Sequence, residues 1–190
     1  MPQDPSSPAA SRQPLDRDAI VRAALDLLDR VGLDALSTRR LAEALGVSGP
    51  SLYWHFGSMG ELRDQMAEVL IAGALPEPDA GDDWRGWLAD GARGIRRAAL
   101  SRRDGARLLA GARPTEARRA LRLGPSLARL LAAGLPAERA RYAFLALARY
   151  ALGVALSEQA SGAARSDAAF EYGLRALLAG IEFDLAEGSS

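Results

Sequence analysis

Hydrophobic residues recur at every third or fourth position along most of the chain, which is the spacing of one face of an α-helix. The first such face consists of Ile20, Ala24, Leu27, Leu28 and Val31. Gly32 follows it, and glycine commonly ends helices. The sequence has no sustained alternation of period two, the pattern of a half-buried strand. The pattern therefore predicts an all-α fold.

This spacing predicts nine helical segments, four before and five after a break at residues 76–83 that is rich in proline, glycine and acids. We expect the break to separate a small N-terminal domain, 15–75, from a larger domain, 82–188. Residues 1–14 are rich in proline, serine and alanine and predict a disordered arm. The predicted segments are 15–31, 37–45, 48–55, 59–74, 83–100, 104–110, 114–133, 136–159 and 166–187.

The composition excludes several kinds of chemistry. The 190 residues include no cysteine, lysine or asparagine, and a single histidine, His55. Disulfides, thiolate sites, lysine nucleophiles and sites with several histidines are therefore excluded. We expect no catalytic residues, metal or cofactor. No apolar run approaches the length of a membrane span, so we expect a cytoplasmic protein without a membrane partner.

Charge is unevenly distributed although the formal net charge is zero. Residues 16–56 contain five arginines and six acids, whereas residues 93–141 contain thirteen arginines and three acids. The second excess has two interpretations: an anionic ligand or partner, or a solvated face covered by long arginine side chains. The sequence favours the solvated face.

The most informative stretch is residues 38–56, where two short helices are predicted on either side of a turn. Five apolar residues are spaced to pack these helices against each other, and Gly46 can adopt the positive φ that the turn needs. The second helix exposes two aromatic residues and the histidine, which suits the major groove of DNA. The alternative is a plain three-helix core that encloses the aromatic side chains. The five apolar residues are Leu41, Ala42, Leu45, Val47 and Leu52.

These residues resemble the DNA-binding domain of TetR-type repressors. The resemblance is carried by LSTRRLAEALGV at 36–47 and SLYWHF at 51–56. Further matches resemble the ligand domain of the tetracycline repressor subgroup: SRRDGA at 101–106, GARPTE at 111–116, RYA at 141–143, ALG at 151–153 and EQ at 158–159. The resemblance extends from about Leu15 to Gln159 and continues weakly over 170–182.

The resemblance implies a homodimeric, ligand-responsive repressor that binds double-stranded, palindromic operator DNA. The last two helices would form a four-helix bundle with those of the partner, and a ligand would shift the fourth helix and change the spacing of the DNA-binding heads. The predicted DNA contacts are Thr38, Arg39, Gly49, Pro50, Ser51, Tyr53, Trp54 and His55.

The same resemblance places the ligand in the larger domain and argues against a magnesium–tetracycline chelate. Leu109 stands where the subgroup has its magnesium-binding histidine, and Ser157 where it has a glutamate near the metal. We therefore expect a small, largely apolar effector of unknown identity. The predicted ligand contacts are Trp87, Ile95, Leu109, Arg113, Pro114, Ser126, Phe144, Arg149 and Tyr150.

Three alternatives stay open at this point. The slightly acidic head suggests a helical interaction module without operator binding, and a regulator that ignores ligands has the same pattern. An all-α enzyme would need a carboxylate site, for which Glu116 beside Arg113 is the best candidate. No base–nucleophile pair accompanies them.

Overall fold

The computed structural model describes residues 16–74, 83–162 and 166–187, and within these ranges the chain forms nine α-helices and no strand. The predicted all-α class is confirmed. The predicted arm, 1–14, and nearly all of the predicted break at 76–83 lie outside the described residues. The helices are α1 (Arg17–Val31), α2 (Thr38–Leu45), α3 (Gly49–Tyr53), α4 (Met59–Ala72), α5 (Trp84–Leu100), α6 (Gly105–Gly111), α7 (Glu116–Ala132), α8 (Ala137–Ser161) and α9 (Asp167–Glu187).

Side-chain caps fix the start of most helices. The Asp16 carboxylate accepts the backbone N–H of Ala19 at 2.6 Å, which satisfies one of the free donors of the first turn. Ser37, Ser58, Asp83 and Thr115 act in the same way at the starts of α2, α4, α5 and α7. These caps are local features, so the sequence located the helix starts within two residues.

Several predicted helix boundaries were wrong by one or two residues. The third helix, predicted over 48–55, spans only Gly49–Tyr53, and Ser48 makes no capping bond because its hydroxyl lies 2.6 Å from that of Ser51. The predicted start of the seventh helix at Pro114 is also wrong, because Thr115 caps α7 and the helix begins at Glu116.

The first hydrophobic cluster joins α1 to α4 into a head. Ile20, Leu28, Leu41 and Met66 are fully buried at its centre. Leu108 of α6 belongs to the same cluster, so the head is packed directly against the following part of the chain. The burial of apolar side chains from all these helices is the main force that holds them together.

A second cluster, formed by α5, α7, α8 and α9, makes the core of the larger part of the molecule. Leu130, Ala140, Ala151 and Leu174 are fully buried in it. The end of α4 approaches α5 so closely that a Cβ at Gly94 would lie 1.6 Å from the carbonyl oxygen of Ala74. Glycine is therefore required at this crossing. None of the helices in the described part of the chain is both long and apolar enough to cross a membrane.

Candidate functional site

The turn between α2 and α3 has the geometry that the sequence predicted for it. Gly46 adopts φ 65° and ψ 32°, the left-handed conformation, and its N–H donates back to the end of α2. Leu41 and Ala42 of α2 and Leu52 of α3 are buried between the two helices. This packing therefore fixes the orientation of α3 relative to α2, with the opposite side of α3 facing outward.

The predicted alternative in which the aromatic residues are enclosed does not apply to this structure. Tyr53 is 57% exposed and Trp54 is 89% exposed, whereas Phe56, two residues further on, is 4% exposed. An indole ring in water is unfavourable unless a partner covers it. The exposed aromatic surface at α3 therefore indicates a binding site on the head.

The other predicted contact residues surround these two aromatics. Pro50 is exposed on α3, and Gly49, Ser51 and His55 are half-buried beside it. On α2, Arg39 is exposed and Thr38 is half-buried at the first turn. The structure thus places six of the eight predicted positions on α2 and α3, and the other two, Trp54 and His55, in the turn that directly follows α3.

The turn after α3 is fixed by Glu61 at the start of α4. Its carboxylate accepts the backbone N–H of Gly57 at 2.8 Å and pairs with the guanidinium of Arg17, which also lies over the ring of Phe56. The hydrogen bond from Gly57, followed by that from Arg17, lowers the pKa of Glu61. These contacts connect the exposed helix to both α1 and α4.

A cavity of about 860 Å³ lies between the head and the larger core. Its volume is within the usual range for small-molecule sites. Most of the wall is aliphatic, with residues from α4, α5, α6, α7 and α8. The apolar lining consists of Ala67, Ile71, Ile95, Leu109, Ala112, Pro114, Ala120, Leu123, Gly124, Leu127, Phe144, Leu145, Ala148 and Leu152. Charged side chains also line it: Glu68, Glu116, Arg119, Arg122, Arg141 and Arg149.

Five of the nine predicted ligand residues line this cavity. They come from four different parts of the chain and meet only in the folded protein: Ile95, Leu109, Pro114, Phe144 and Arg149. The four others, Trp87, Arg113, Ser126 and Tyr150, do not line it in this structure, and each has contacts that account for its position.

Trp87 and Ser126 form a buried pair in the second cluster. The indole N–H of Trp87 donates to the Ser126 hydroxyl at 3.0 Å, and both residues are almost completely inaccessible to solvent. The guanidinium of Arg129 lies 3.6 Å from the centre of the indole ring. These contacts place Trp87 in the core rather than in the cavity wall.

Tyr150 and Arg113 also have structural contacts. The Tyr150 hydroxyl donates to the carbonyl of Phe170 at 2.9 Å and the two rings stack with centres 5.5 Å apart. Burial raises the pKa of Tyr150. Arg113 is exposed, and its backbone N–H donates to the Asp64 carboxylate at 2.8 Å.

Sequence reasoning missed Glu68, one of the two acidic side chains that line the cavity. Glu68 of α4 pairs with the guanidinium of Arg122 at 2.6 Å and with that of Arg118 at 3.4 Å, both on α7. The partners are about fifty residues apart in the sequence, and no local pattern connects them. Glu116, predicted beside Arg113, instead lies 3.9 Å from Arg119 on its own helix.

The loop before α6 connects the head to the cavity wall. The Asp104 carboxylate accepts the backbone N–H of Leu33 at 2.8 Å, and Arg102 pairs with Asp29 of α1 at 2.6 Å. Arg107 on α6 pairs with Asp34 at 2.8 Å. Leu109 on the same helix lines the cavity. The segment 102–109 therefore contacts both the cavity and the α1 end of the head.

Residues suited to a metal ion are not grouped in this site. Within residues 16–74, 83–162 and 166–187, no three histidine or acidic side chains lie close enough together to hold a metal. The chemistry of the cavity therefore comes from its aliphatic wall and its arginine and glutamate side chains.

Two family models match the chain. Residues 20–66 match the model for bacterial regulatory proteins of the tetR family. Residues 75–167 match the model for the tetracyclin repressor-like C-terminal domain. The first match covers the head with the exposed α3, and the second covers helices that line the cavity.

Individual relatives agree with these models. The class C tetracycline repressor of Escherichia coli is 44% identical over 153 residues, which cover 78% of this chain and 68% of the relative. The class G repressor of Vibrio anguillarum is 37% identical over 205 residues, covering 88% and 94%. A variant TetR from Acinetobacter baumannii AYE, solved in complex with minocycline, is 43% identical with a TM-score of 0.82, covering 90% and 98%.

Proposed function

Because the chain belongs to the TetR family of bacterial regulatory proteins and is a DNA-binding transcriptional regulator, we propose that it is a repressor. In this proposal a small molecule in the cavity releases it from a palindromic operator. DNA and effector would then oppose each other as reciprocally linked sites. As a regulator it would act in the cytoplasm, where the DNA is, and would catalyse no reaction.

The observation that carries the proposal is the exposure of Tyr53 and Trp54 on α3. In a major groove these rings would be covered, with polar tips near phosphates and Ser51 and Pro50 near base edges. We assign the DNA contacts to the eight predicted positions on α2, on α3 and in the turn after α3, with Arg39 as the bidentate reader of guanine.

Repression by this architecture needs two heads, and α9 offers the surface that would join them. One face of the helix is buried in the second cluster, and the opposite face is exposed although it is largely apolar. That exposed face contains Ala169, Tyr172, Ala176, Ala179, Gly180 and Phe183. Small residues between two aromatics allow helices to approach closely, so we propose that α9 packs against its copy in a homodimer.

The effector is proposed to differ from that of the relatives named as tetracycline repressors. The resemblance implies a histidine for the magnesium chelate at position 109, where this chain has leucine in the cavity wall. An aliphatic side chain cannot ligate magnesium. We expect no change in melting temperature when magnesium and tetracycline are added together, and a clear upward shift would contradict this.

A salt-dependent binding assay tests the function itself. Fluorescence anisotropy with DNA from around the coding region should give specific, saturable binding that weakens steeply as salt increases. An unrelated duplex of equal length is the control. Equal affinity for both duplexes, or no binding at all, would favour the alternative of a helical interaction module.

A further inference from the structure

We propose that the cavity binds an amphipathic organic anion, with an apolar body on the aliphatic wall and a negatively charged group at Arg149. This inference rests on the proposed function, since it specifies the chemical class of the effector. It adds a charge requirement to the largely apolar ligand that the sequence predicts.

The charged residues of the cavity wall are not balanced. Four arginines line the cavity, whereas only two glutamates do. Glu68 is occupied by Arg122, at 2.6 Å, and by Arg118 outside the wall, at 3.4 Å. Glu116 lies 3.9 Å from Arg119, at the limit of an ion pair. Both acids are thus already engaged by arginines of α7.

The two cavity-lining arginines of α8, Arg141 and Arg149, have no such counter-charge among the described residues. No carboxylate of the described residues lies within 4.0 Å of Arg141 or Arg149. Arg141 lies over the ring of Tyr142, with 5.4 Å to its centre. Arg141 and Arg149 are both exposed, so their guanidinium groups are open to a ligand, and an anion that lies on the aliphatic wall can form a charge-assisted hydrogen bond with one of them.

The helix arrangement indicates which end of the cavity takes the charge. A four-residue turn, 133–136, joins α7 and α8, so the two helices run antiparallel. Positions equally far from the turn lie side by side, which places Arg149 level with Arg119 and Arg122. Arg141 lies eight residues earlier on α8, about 12 Å along the axis. The two α7 arginines at this level already face Glu116 and Glu68, so Arg149 is the guanidinium there that an anionic group can pair with.

The apolar body has a matching surface. Four residues with helical spacing share the face of α8 that carries Arg149, and all of them line the cavity: Phe144, Leu145, Ala148 and Leu152. Ile95 and Leu109 face them from α5 and α6. A ligand with a charged group at Arg149 can therefore extend along aliphatic and aromatic side chains over most of its length.

Two dyes with the same aromatic skeleton test the charge requirement. Anilinonaphthalene sulfonate carries a sulfonate that N-phenylnaphthylamine lacks, and both fluoresce on entering an apolar site. Titrated into the full chain, the sulfonate should bind tighter. Arg149→Gln should lower the affinity for the sulfonate dye about ten-fold, which is the usual contribution of one charge-assisted hydrogen bond. The affinity for the neutral dye should stay within about two-fold.

Three variants complete the experiment. Arg149→Lys keeps the charge and should recover most of the affinity for the sulfonate. Arg139→Gln removes an exposed arginine of the same helix outside the cavity wall and should leave the affinity for both dyes unchanged. Ala148→Trp fills the cavity and should abolish the binding of both dyes. Circular dichroism establishes that this variant folds.

The outcomes separate this inference from the proposed function. If both dyes bind with equal affinity and Arg149→Gln changes neither affinity, the requirement for an anionic ligand is overturned, and the cavity is a site for apolar ligands. Sulfonate binding that survives in a folded Ala148→Trp variant would place the dye elsewhere and overturn the inference as well. Operator binding is measured separately on the same preparations, and its absence with intact dye binding would overturn only the repressor function.

Discussion

At the scale of single residues, the tryptophans at 54 and 87 show how position decides the role of one side chain. Trp54 is 89% exposed just after α3, whereas Trp87 is 4% exposed and hydrogen-bonded to Ser126. The aromatic body stabilises a core when it is enclosed and offers a binding surface when it is not. Residue type alone could not separate the two roles.

The Trp87–Ser126 pair leads to a stability prediction. Ser126→Ala leaves the buried indole N–H without an acceptor and should lower the free energy of unfolding by about 1–3 kcal/mol in a urea titration. Ser157→Ala, at an exposed serine of α8, is the control and should change it by less than about 0.5 kcal/mol. Equal effects of the two would argue that the hydrogen bond is unimportant.

Arg39 provides the prediction for DNA recognition. Arg39→Ala should weaken operator binding by about 1–3 kcal/mol, the range of one bidentate base contact, and should relax sequence preference at one base pair. Arg22→Ala removes an exposed arginine of α1 and controls for the loss of general positive charge. If both variants bind the operator like the parent, Arg39 is not a reader.

At the scale of helices, Gln159 connects three of them with one side chain. Its carbonyl oxygen on α8 accepts the N–H of Ala106 at the start of α6, at 3.0 Å. Its amide donates to the carbonyls of Ala99 at 3.2 Å and Arg102 at 2.9 Å, at the end of α5. The side chain thus satisfies backbone groups that two helix ends leave free.

Replacing this side chain tests the connection. Gln159→Ala should lower the free energy of unfolding by about 1–3 kcal/mol, because three partly buried backbone groups lose their partners. Amide exchange at Ala106 should become faster. Gln65→Ala removes a single, partly buried hydrogen bond with Arg118 at 3.3 Å and should lower the free energy of unfolding clearly less. A loss as large as that of Gln159→Ala would contradict the assignment.

The two apolar faces of α9 illustrate what a helix pattern leaves undecided. Phe170, Leu174, Leu178 and Ile181 face the core, and Tyr172 and Phe183 are on the opposite, exposed face. A helix that is apolar on two sides is normally covered on both. Its periodicity therefore predicts a helix but not which face is internal.

At the scale of the whole molecule, arginine is used mainly to connect helices that are distant in the sequence. Arg96 on α5 pairs with Glu158 on α8 at 2.7 Å and with Asp167 on α9 at 2.7 Å. Arg93 pairs with Glu171 of α9 at 2.8 Å. These pairs raise the pKa of both arginines, chiefly through the hydrogen bonds that the guanidinium groups donate to Glu171 and Glu158. The solvated-face interpretation of the arginine excess is therefore incomplete.

Assembly provides the prediction for the whole molecule. Phe183→Glu places a charge on the exposed face of α9 and should convert the proposed dimer to monomers in sedimentation velocity, with loss of operator binding. Leu121→Glu alters an apolar residue of α7 that is 77% exposed and should leave the dimer intact. A Phe183→Glu dimer of unchanged stability would place the subunit interface elsewhere.

The sequence by itself determined the all-α class, most helix starts and the exposed character of α3. These properties depend on the periodicity of apolar residues and on caps such as Asp16 and Ser58, which act within a few residues of the chain. The tertiary structure alone decided which of the predicted ligand residues share the cavity: Arg149 lines it, whereas Trp87 and Tyr150 are packed in or against the core. It also decided the partners of Glu68, because a cavity wall and an ion pair depend on which distant helices meet.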